Sequence, residues 1–525
     1  MSRWAKVLEV ALASHPRTID TKISYGTAGF RTKAELLDHV MYRMGAMAVL
    51  RSWAKSGQVI GVMITASHNP ECDNGVKLVD PVGEMLEFSW ESLATNLANS
   101  TDREIPDVLD SIISGCGITE GAGRVFVGRD TRKTSPALSN AVLAGIAAAG
   151  GVATDIGVVS TPQLHYMVVA TNTGGGYGEP TLDGYYSKLS SAFTSFLGGI
   201  KEFGNYSPKI MFDGANGVGA LAMQEFMTRL KGILEVTAFN TGSGELNSGC
   251  GADFVKVHQE APAGLEAVEN TRCVSVDGDA DRVIYFYRKQ GVFHLLDGDR
   301  IATLVAGYLK HLLAESGLSD KIRIGCVQTA YANGSSTDYM TKSLGVPVSC
   351  VPTGVKFLHH AALEFDIGVY FEANGHGTVV FSQGAQKLIK ETPSAQSLAM
   401  LMNVINQTVG DAISDLLLVE CVLAARGWSA EDWFHQYSDL PNKLMKASVK
   451  DRTLITTGDA ERQVLSPAGL QERVNKAVAE FKRGRSFVRP SGTEDVVRVY
   501  AEAETKEEAD KLAETVVKIV QEILS

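Results

Sequence analysis

Short apolar runs of strand length recur along the chain, and most of them end in a polar or glycine-rich loop. Between several of these runs, apolar residues stand three or four positions apart, which is the spacing of a helix with one buried face. Residues 124–159 show the order strand, helix, strand, which predicts a βαβ unit in an α/β protein. The predicted strands cover residues 59–64, 125–127, 152–159, 209–213, 273–276, 322–327, 346–351, 367–372 and 496–503.

Capping residues, glycine and proline mark where helices start and end. Ser135 with Pro136 predicts the N-cap and first position of a helix, and Gly150-Gly151 predicts its end. Ser160-Thr161-Pro162 is interpreted as the turn that closes the following strand, and residues 174–176, all glycine, as a flexible passage before the first domain boundary. Further helices are predicted through Val40, Met44, Met47 and Leu50, after the glycine-rich turn at residues 214–219, from Asp297 onward, and over residues 394–408, 412–425, 468–483 and 506–524.

The size and composition of the chain indicate a soluble protein with several domains. Its 525 residues exceed what one hydrophobic core covers, so we expect three or four domains. Hydrophobic residues make up 45% and charged residues 21%, as in ordinary globular proteins. The net charge of -11 argues against non-specific nucleic-acid binding, and an anionic substrate would need local clusters of Arg and Lys.

The seven cysteines are scattered, odd in number and without C-x-x-C spacing. This usage predicts a reducing compartment and no structural zinc site. The N-terminus lacks the apolar core of a signal peptide, and no apolar run is long enough to span a bilayer. We therefore expect a cytoplasmic protein without a membrane partner.

The hexapeptide at residues 65–70 (Thr-Ala-Ser-His-Asn-Pro) follows the apolar run at 59–64. Pro70 prevents the strand from continuing, so Ser67 is expected on a tight loop with His68 beside it and Lys77 close by. Taken alone, this stretch fits an ordinary turn equally well, because Ser, Asn and Pro are common turn residues. Its significance depends on the loops that follow other strands.

Three aspartates alternate at the end of the apolar strand at 273–276. Side chains two positions apart share a face of an extended chain, so Asp277, Asp279 and Asp281 can direct their oxygens at one cation. Oxygen-only ligands suit Mg²⁺. An acidic turn is the alternative, but three crowded carboxylates need a compensating cation, which favours the metal site.

Other polar loops also follow predicted strands or precede new ones. Residues 26–31 bring two glycines and Arg31, and the loop at 352–356 contains Thr353 and Gly354. Glu372 and Asn374 follow the strand at 367–372 and can hydrogen-bond hydroxyl and amide groups, whereas the nearby His376 is interpreted as a packed structural residue. A phosphate-binding loop is predicted from a guanidinium, two hydroxyls, a glycine and a second arginine on the next strand: Arg489, Ser491, Gly492, Thr493 and Arg498.

Together these loops resemble the four motifs of the α-D-phosphohexomutases. The matching stretches are residues 65–70, 277–282, 372–376 and 489–493, and their spacing spans essentially the whole chain. Within that family, the stretch at 372–376 (Glu-Ala-Asn-Gly-His) and residues 73–77 are similar to the eukaryotic phosphoacetylglucosamine mutases, whereas glucose and mannose mutases usually carry Ser where Asn374 stands. Glu71-Cys72 departs from the expected Pro-rich or acidic pair without affecting a catalytic position.

The resemblance implies four α/β domains around a central cleft, three related mixed-sheet units and a smaller C-terminal phosphate-binding α+β domain. The implied ranges are residues 1–182 with the phosphoserine loop, 183–296 with the metal loop, 297–440 with the sugar loop and 441–525 with the phosphate loop. A monomer or weak oligomer acting on small sugar phosphates is expected.

The resemblance also implies a phosphoserine mechanism. Phospho-Ser67 would give its phosphoryl group to a sugar monophosphate, the bisphosphate would turn over, and the other phosphate would return to Ser67. Mg²⁺ would be held by Asp277, Asp279, Asp281 and a phosphoserine oxygen. Arg31 and Arg282 would steady the transferring oxygens, and His68 or Lys77 would exchange the hydroxyl proton.

The implied reaction interconverts N-acetylglucosamine 6-phosphate and 1-phosphate, on the route to UDP-N-acetylglucosamine. Thr353, Gly354, Glu372 and Asn374 would contact the sugar, and the loop that starts at Arg489 would hold the phosphate that is not reacting. The alternatives are a mutase for glucose or mannose phosphates, a metal-dependent sugar phosphatase, and a non-catalytic sugar-phosphate-binding protein.

Overall fold

The computed structural model describes residues 3–26, 29–266, 268–491 and 496–524. Within them the strands are β1 (Phe30–Lys33), β2 (Ile60–Ile64), β3 (Asp73–Val79), β4 (Arg124–Arg129), β5 (Val152–Val158), β6 (Lys209–Asp213), β7 (Glu235–Phe239), β8 (Arg272–Val276), β9 (Val283–Lys289), β10 (Val292–Leu296), β11 (Ile324–Thr329), β12 (Val348–Val351), β13 (Ile367–Phe371), β14 (Gly377–Phe381), β15 (Asn442–Ser448), β16 (Thr456–Gly458), β17 (Gln463–Ser466), β18 (Arg485–Pro490) and β19 (Val496–Glu502).

The helices are α1 (Ala5–Ser14), α2 (Asp38–Ala54), α3 (Phe88–Asn99), α4 (Ile105–Gly115), α5 (Ser135–Ala148), α6 (Thr161–Asn172), α7 (Leu182–Gly198), α8 (Val218–Arg229), α9 (Ala252–His258), α10 (Gly298–Glu315), α11 (Gly334–Asp338), α12 (Val355–Ala362), α13 (Gln383–Glu391), α14 (Gln396–Val404), α15 (Ala412–Arg426), α16 (Ala430–Phe434), α17 (Leu470–Val478) and α18 (Lys506–Leu524). By its contacts the chain divides into two compact units. Unit 1 is formed by residues 1–297, 376–378 and 399–430, and unit 2 by residues 298–375, 379–398 and 431–525.

Unit 1 contains two five-stranded mixed sheets. The first has the order β1-β3-β2-β4-β5, in which β2, β4 and β5 are parallel and β3 is antiparallel to its neighbours. The second has the order β10-β9-β8-β6-β7, again with three parallel strands and an antiparallel pair. Ligand-binding loops of such sheets follow the carboxyl ends of the parallel strands, so we expect the functional site at these strand ends.

The predicted helix through Val40, Met44, Met47 and Leu50 is confirmed as α2. All four side chains are fully buried, as expected for apolar residues three or four positions apart. Gly45 of α2 allows α5 to approach closely, because a Cβ there would lie 2.2 Å from the carbonyl oxygen of Val142. The methionines of this helix are therefore core residues.

Unit 2 contains a four-stranded sheet of order β12-β11-β13-β14, in which β12, β11 and β13 are parallel. Its C-terminal part is an antiparallel sheet of order β15-β19-β18 with a small β16-β17 hairpin. The helix α18 covers the antiparallel sheet with a row of buried apolar residues that includes Leu512, Val516 and Val520.

One local interpretation was wrong. Ser160-Thr161-Pro162 does not close a strand; it begins α6, with Ser160 as the N-cap. The Ser160 hydroxyl accepts from the Gln163 N–H, and the Gln163 side chain accepts from the Ser160 N–H, so the two residues form a capping box. The missed signal was the glutamine three positions after the serine.

In the parts of the chain that the structure describes, no helix is both long and apolar enough to cross a bilayer.

Candidate active site

Ser67 lies on the loop between β2 and β3, as the apolar run before it predicts. The residue is fully buried and has a φ of 52°, in the left-handed region that side-chain-bearing residues rarely adopt. Its N–H donates to Thr65 Oγ1 at 2.9 Å, and its hydroxyl donates to Asp277 Oδ2 at 2.7 Å. Asp281 Oδ1 lies 3.3 Å from the same hydroxyl. The loop therefore aims the serine oxygen directly at the aspartates.

The aspartate loop connects β8 to β9, and all three carboxylates are buried. One oxygen from each of Asp277, Asp279 and Asp281 can be chosen so that the three lie within 4.8 Å of one another. Asp279 Oδ1 is buried and has no hydrogen-bond partner among the described residues. Three buried carboxylates whose oxygens converge, together with an unpaired Asp279 oxygen, fit a hard divalent cation.

Lys77 on β3 supplies one positive charge to this cluster. Its ammonium donates to Asp279 Oδ2 at 2.9 Å and to Asp281 Oδ2 at 3.1 Å. Burial lowers the pKa of Lys77, but the two aspartates outweigh it, so the pKa is raised overall. Lys77 is therefore protonated at neutral pH and partly balances the carboxylates.

Thr161 is a member of the site that the sequence did not reveal. Its hydroxyl donates to Asp279 Oδ2 at 2.5 Å, and its N–H donates to the Asp279 carbonyl at 3.2 Å. Both bonds become possible because α6 begins at Thr161, immediately after β5. This helix start fixes the orientation of a predicted metal ligand.

Arg31 and Arg282 place two guanidinium groups at the same cluster. Arg282 Nε lies 3.8 Å from Asp277 Oδ2 and 3.9 Å from Asp281 Oδ1. Burial and the charge of Arg282 lower the pKa of Arg31, while the three aspartates raise it.

His68, next to Ser67, is half-buried. The positive charge of Arg282, burial of the ring and the positive charge of Arg31 lower the pKa of His68 to about 2. Its ring is therefore neutral at neutral pH.

The aspartates respond differently to this environment. Burial and the charges of Asp281 and Asp279 raise the pKa of Asp277 well above its usual range. Burial acts on Asp281 in the same direction, but Lys77, His376 and Arg282 hold its pKa well below the usual range. Asp277 thus depends on a cation to keep its negative charge, whereas the Asp281 carboxylate is already paired.

His376 packs against the aspartate loop, as the structural interpretation of this residue predicted. It is buried, and its Nδ1 lies 3.3 Å from Asp281 Oδ1. Its backbone also forms an antiparallel bridge with Arg282. His376 supports the position of Asp281 from the loop before β14.

In unit 2, the predicted sugar loop follows β13. Asn374 Nδ2 lies 3.4 Å from Glu372 Oε2, and the Gly375 N–H donates to the Glu372 carbonyl at 2.9 Å. Gly298 lets the start of α10 approach this loop, because a Cβ there would lie 1.8 Å from the Glu372 carbonyl oxygen. The Glu372 and Asn374 side chains are half-buried and lie next to each other.

The C-terminal sheet brings two of the predicted arginines together. Arg489 on β18 and Arg498 on β19 face each other as cross-strand partners, and Arg498 Nε is buried without a hydrogen-bond partner among the described residues. Like charges placed directly opposite each other are destabilising unless an anion lies near them, which fits a phosphate site. Ser491 is buried, whereas Gly492 and Thr493 lie outside the described residues.

A carboxylate of the chain already interacts with one member of this arginine pair, Arg489. Glu461 lies in the turn between β16 and β17 with a φ of 67° and accepts from Arg489 Nε at 2.7 Å. Its other oxygen accepts from the N–H of Thr353 at 2.9 Å and from the Thr353 hydroxyl at 2.5 Å. Gly354, with a φ of 134°, follows as the N-cap of α12. Glu461 was not among the residues predicted from the sequence.

Known protein families match the chain in consecutive segments. Residues 25–104 and 107–177 match phosphoglucomutase/phosphomannomutase, alpha/beta/alpha domain I, and residues 444–519 match the C-terminal domain of the same group. Residues 179–284 match domain II of phosphoacetylglucosamine mutase AMG1, and residues 297–428 match its domain III.

Curated relatives and solved structures agree with these matches. The chain is 53% identical to the phosphoacetylglucosamine mutase of Sus scrofa, covering 95% of this chain and 94% of that protein. It is 52% identical to the Homo sapiens enzyme of the same name, covering 96% and 95%. A crystal structure of Aspergillus fumigatus N-acetylphosphoglucosamine mutase in complex with GlcNAc-6P and magnesium superposes with a TM-score of 0.95, at 46% identity and with full coverage of both chains.

Proposed function

The chain belongs to the phosphoacetylglucosamine mutases of the α-D-phosphohexomutase superfamily, and on this basis we propose which of its residues carry each part of the reaction. The protein interconverts N-acetylglucosamine 6-phosphate and N-acetylglucosamine 1-phosphate through a phosphoserine enzyme and a 1,6-bisphosphate intermediate. The observation that carries this assignment is the hydrogen bond of 2.7 Å between the Ser67 hydroxyl and one carboxylate of a buried aspartate cluster.

Ser67 is the residue that carries the phosphoryl group. In the first half-reaction the free hydroxyl oxygen of the sugar monophosphate bonds to phosphorus, and the bond from phosphorus to Ser67 Oγ breaks. The sugar hydroxyl loses its proton, and Ser67 Oγ regains one, so charge and protons balance. The second half-reaction reverses these steps with the other phosphate of the bisphosphate, which leaves the enzyme phosphorylated again.

Asp277, Asp279 and Asp281 would hold Mg²⁺, together with an oxygen of phospho-Ser67. The buried donor set and the unpaired Asp279 oxygen support this assignment. When bound, the ion neutralises negative charge on the phosphoryl group. Lys77 and Thr161 orient Asp279, and His376 supports Asp281, so the chain's own residues fix the positions of the ligands.

Arg31 and Arg282 stabilise the oxygens of the transferring group. Their guanidinium groups flank the aspartates, where charge moves during transfer. We assign proton exchange to His68 or Lys77: both lie at the cluster, the His68 ring is neutral and the Lys77 side chain is a protonated ammonium.

The unit 2 residues contact the parts of the substrate that are not reacting. Glu372 accepts from sugar hydroxyls, and Asn374 offers both a donor and an acceptor, as does a 2-acetamido group. Thr353 and Gly354 contribute to this sugar site. The phosphate that is not reacting is bound by Arg489, Ser491, Gly492, Thr493 and Arg498, which is supported by the facing arginines of β18 and β19.

We further propose the domain ranges 1–182, 183–296, 297–440 and 441–525, because each contains one main sheet. A cytoplasmic location is supported by the seven cysteines, which are free in the structure. A monomeric or weakly oligomeric state is supported by the net charge of -11.

Incubation with a panel of hexose and N-acetylhexosamine phosphates, a hexose 1,6-bisphosphate primer and Mg²⁺ tests the function. N-acetylglucosamine 6-phosphate is expected to be converted faster than the glucose and mannose phosphates. Preference for glucose or mannose phosphates would show a different specificity within the same superfamily. Continuous release of inorganic phosphate would indicate a phosphatase, and binding without turnover would indicate a non-catalytic protein.

A further inference from the structure

The backbone of the Ser67 loop is held by two side chains that do not touch the serine hydroxyl. The carbonyl oxygen of Ser67 accepts from Arg132 Nη2 at 3.0 Å and from Asn247 Nδ2 at 2.9 Å. The carbonyl oxygen of Asn69 accepts from the same two atoms, at 2.8 Å and 3.1 Å. We call Arg132 and Asn247 the carbonyl clamp, because each bridges the same pair of carbonyls.

The loop needs such support because its conformation is unfavourable. A φ of 52° at Ser67 is unfavourable for a residue with a side chain and persists only where the surrounding structure enforces it. The aspartate loop also approaches the Ser67 carbonyl closely, since a Cβ on Gly278 would lie 2.7 Å from that oxygen. The carbonyl thus lies among a guanidinium, an amide and a glycine.

Arg132 approaches the loop from the first sheet. It follows β4, its side chain is fully buried, and its Nη1 pairs with Asp130 Oδ2. Asp130 Oδ1 in turn accepts from the Arg132 N–H at 3.0 Å and from the Ser135 hydroxyl at 2.6 Å. The guanidinium is therefore fixed before it meets the carbonyls.

Asn247 approaches from the second sheet. It lies between β7 and α9 with a φ of 58°, which asparagine tolerates better than most residues. Its N–H donates to the Ala215 carbonyl at 3.0 Å, in the turn that follows β6. The second sheet, whose β8–β9 loop carries the three aspartates, thus has a separate connection to the serine loop through Asn247, independent of any cation.

We propose that Arg132 and Asn247 are positioning residues for phosphoryl transfer: they keep the Ser67 oxygen in one place while the residue alternates between serine and phosphoserine. This inference rests on the proposed function. A displacement of about 1 Å in a reacting atom can lower the rate roughly 100-fold, so a clamp on the loop affects kcat. Substrate contacts are untouched, so KM stays nearly constant.

The test compares Asn247→Ala with Asn240→Ala in the full-length enzyme. Asn240 is a matched control in the same sheet region: it is also half-buried, has a φ of 49°, and donates to two oxygens, those of Asp213 at 2.8 Å and Ala263 at 3.0 Å. Measured quantities are the melting temperature, kcat and KM for N-acetylglucosamine 6-phosphate, and the rate of Ser67 phosphorylation by a hexose 1,6-bisphosphate. The expected result is a fall in kcat and phosphorylation rate of about 10- to 100-fold for Asn247→Ala alone.

Two more variants keep the test decisive if Asn247→Ala folds poorly. Asn247→Asp preserves shape and the left-handed backbone but removes the donor, and Arg132→Lys keeps the charge but loses the fork that joins Asp130 at Nη1 to the two carbonyls at Nη2. Both are expected to reduce kcat with KM within about threefold. Equal kcat for wild type, Asn247→Ala and Asn247→Asp would overturn the clamp, as would equal losses in Asn247→Ala and Asn240→Ala. A wild-type protein without mutase turnover would instead overturn the proposed function.

Discussion

Ser67 shows how much of the chemistry is set at the scale of single residues. Its hydroxyl contacts Asp277 and Asp281, its φ is in the left-handed region, and its carbonyl is held by the clamp. Around it, Lys77 and two arginines face three buried carboxylates, and Asp279 Oδ1 has no hydrogen-bond partner among the described residues. The point where the three carboxylates converge is therefore suited to a divalent cation.

Asp279→Ala is expected to weaken Mg²⁺ binding by at least about tenfold, the lower range of what loss of a supporting partner alone costs a metal site. It removes a ligand and leaves the Lys77 ammonium with Asp281 as its remaining carboxylate partner. Calorimetric titration with Mg²⁺ measures the change, and Asp320→Ala, an exposed carboxylate, serves as the control. Unchanged affinity in Asp279→Ala would rule out this site.

Asn374→Ser is expected to narrow the preference for N-acetylglucosamine 6-phosphate over glucose 6-phosphate. Serine cannot offer the amide's donor and acceptor to a 2-acetamido group, and each lost hydrogen bond is worth about 1 kcal/mol, or roughly fivefold. The ratio of the two kcat/KM values is the measurement, with wild type as its reference. An unchanged ratio would mean that Asn374 does not read the acetamido group.

The residues that could be predicted from the sequence were those whose partners follow a local pattern. Ser67 and the three aspartates stand in short, recognisable stretches after apolar strands. Arg132, Thr161 and Asn247 could not be found in this way, because their partners lie 65, 118 and 180 residues away and each occurs in an ordinary loop or helix start. Contacts between residues so far apart in the sequence depend on the order of the strands in the sheets. The period of the apolar pattern does not reveal that order.

At the scale of elements, the register of paired strands and the turn of a hairpin place charged side chains next to each other. The antiparallel register of β18 and β19 sets Arg489 opposite Arg498, and the turn between β16 and β17 directs Glu461 at Arg489. Burial lowers the pKa of Arg489, but Glu461 more than compensates, so the pKa is raised overall. The hairpin was missed because its strands, Thr456–Gly458 and Gln463–Ser466, are too short to show a pattern.

Arg489→Ala is expected to raise KM for sugar monophosphates by about 10- to 150-fold, because a charge-assisted phosphate contact is worth about 1.5–3 kcal/mol. The melting temperature is expected to change little. Steady-state kinetics measure KM, and Arg473→Ala removes an arginine of the same part of the chain that pairs with Glu522 on the surface. If Arg489→Ala unfolds the protein while its KM stays normal, the loop is structural.

Glu461→Gln is expected to lower KM for the same substrates by up to about fivefold. The Glu461 carboxylate pairs with the guanidinium that we assign to phosphate, so the substrate must compete with it; a partly exposed ion pair is worth at most about 1 kcal/mol. Glutamine keeps an oxygen for the Thr353 donors. A rise in KM would show that Glu461 orients Arg489 instead of competing with phosphate.

At the scale of the whole molecule, the chain has the four-domain phosphohexomutase architecture of mixed α/β sheets. Alternating strands and helices predicted the α/β class, whereas chain length alone left three or four domains possible. The motif resemblance decided between them, and the family matches confirm it. The exact boundaries stay predictions, and the one at residue 182 coincides with the start of α7, which begins at Leu182.

The mixed order of the first two sheets could not be derived from the apolar pattern. Strands β9 and β10 form an antiparallel hairpin after the aspartate loop, and neither was predicted. Buried strands such as β9 show an almost continuous apolar run, so the spacing of apolar residues alone does not distinguish them from buried helices. The hairpin nevertheless matters for the site, because β9 continues directly from Arg282.

Phosphorus NMR of turnover tests whether the protein is a mutase that transfers phosphate through Ser67. Full-length protein, primed with a hexose 1,6-bisphosphate and supplied with Mg²⁺, is given N-acetylglucosamine 6-phosphate, with Ser67→Ala as the matched variant. We expect wild type to give an equilibrium mixture of the 6-phosphate and the 1-phosphate without inorganic phosphate, and a normally folded Ser67→Ala to give essentially no conversion. Full activity of Ser67→Ala, or inorganic phosphate as the main wild-type product, would contradict it.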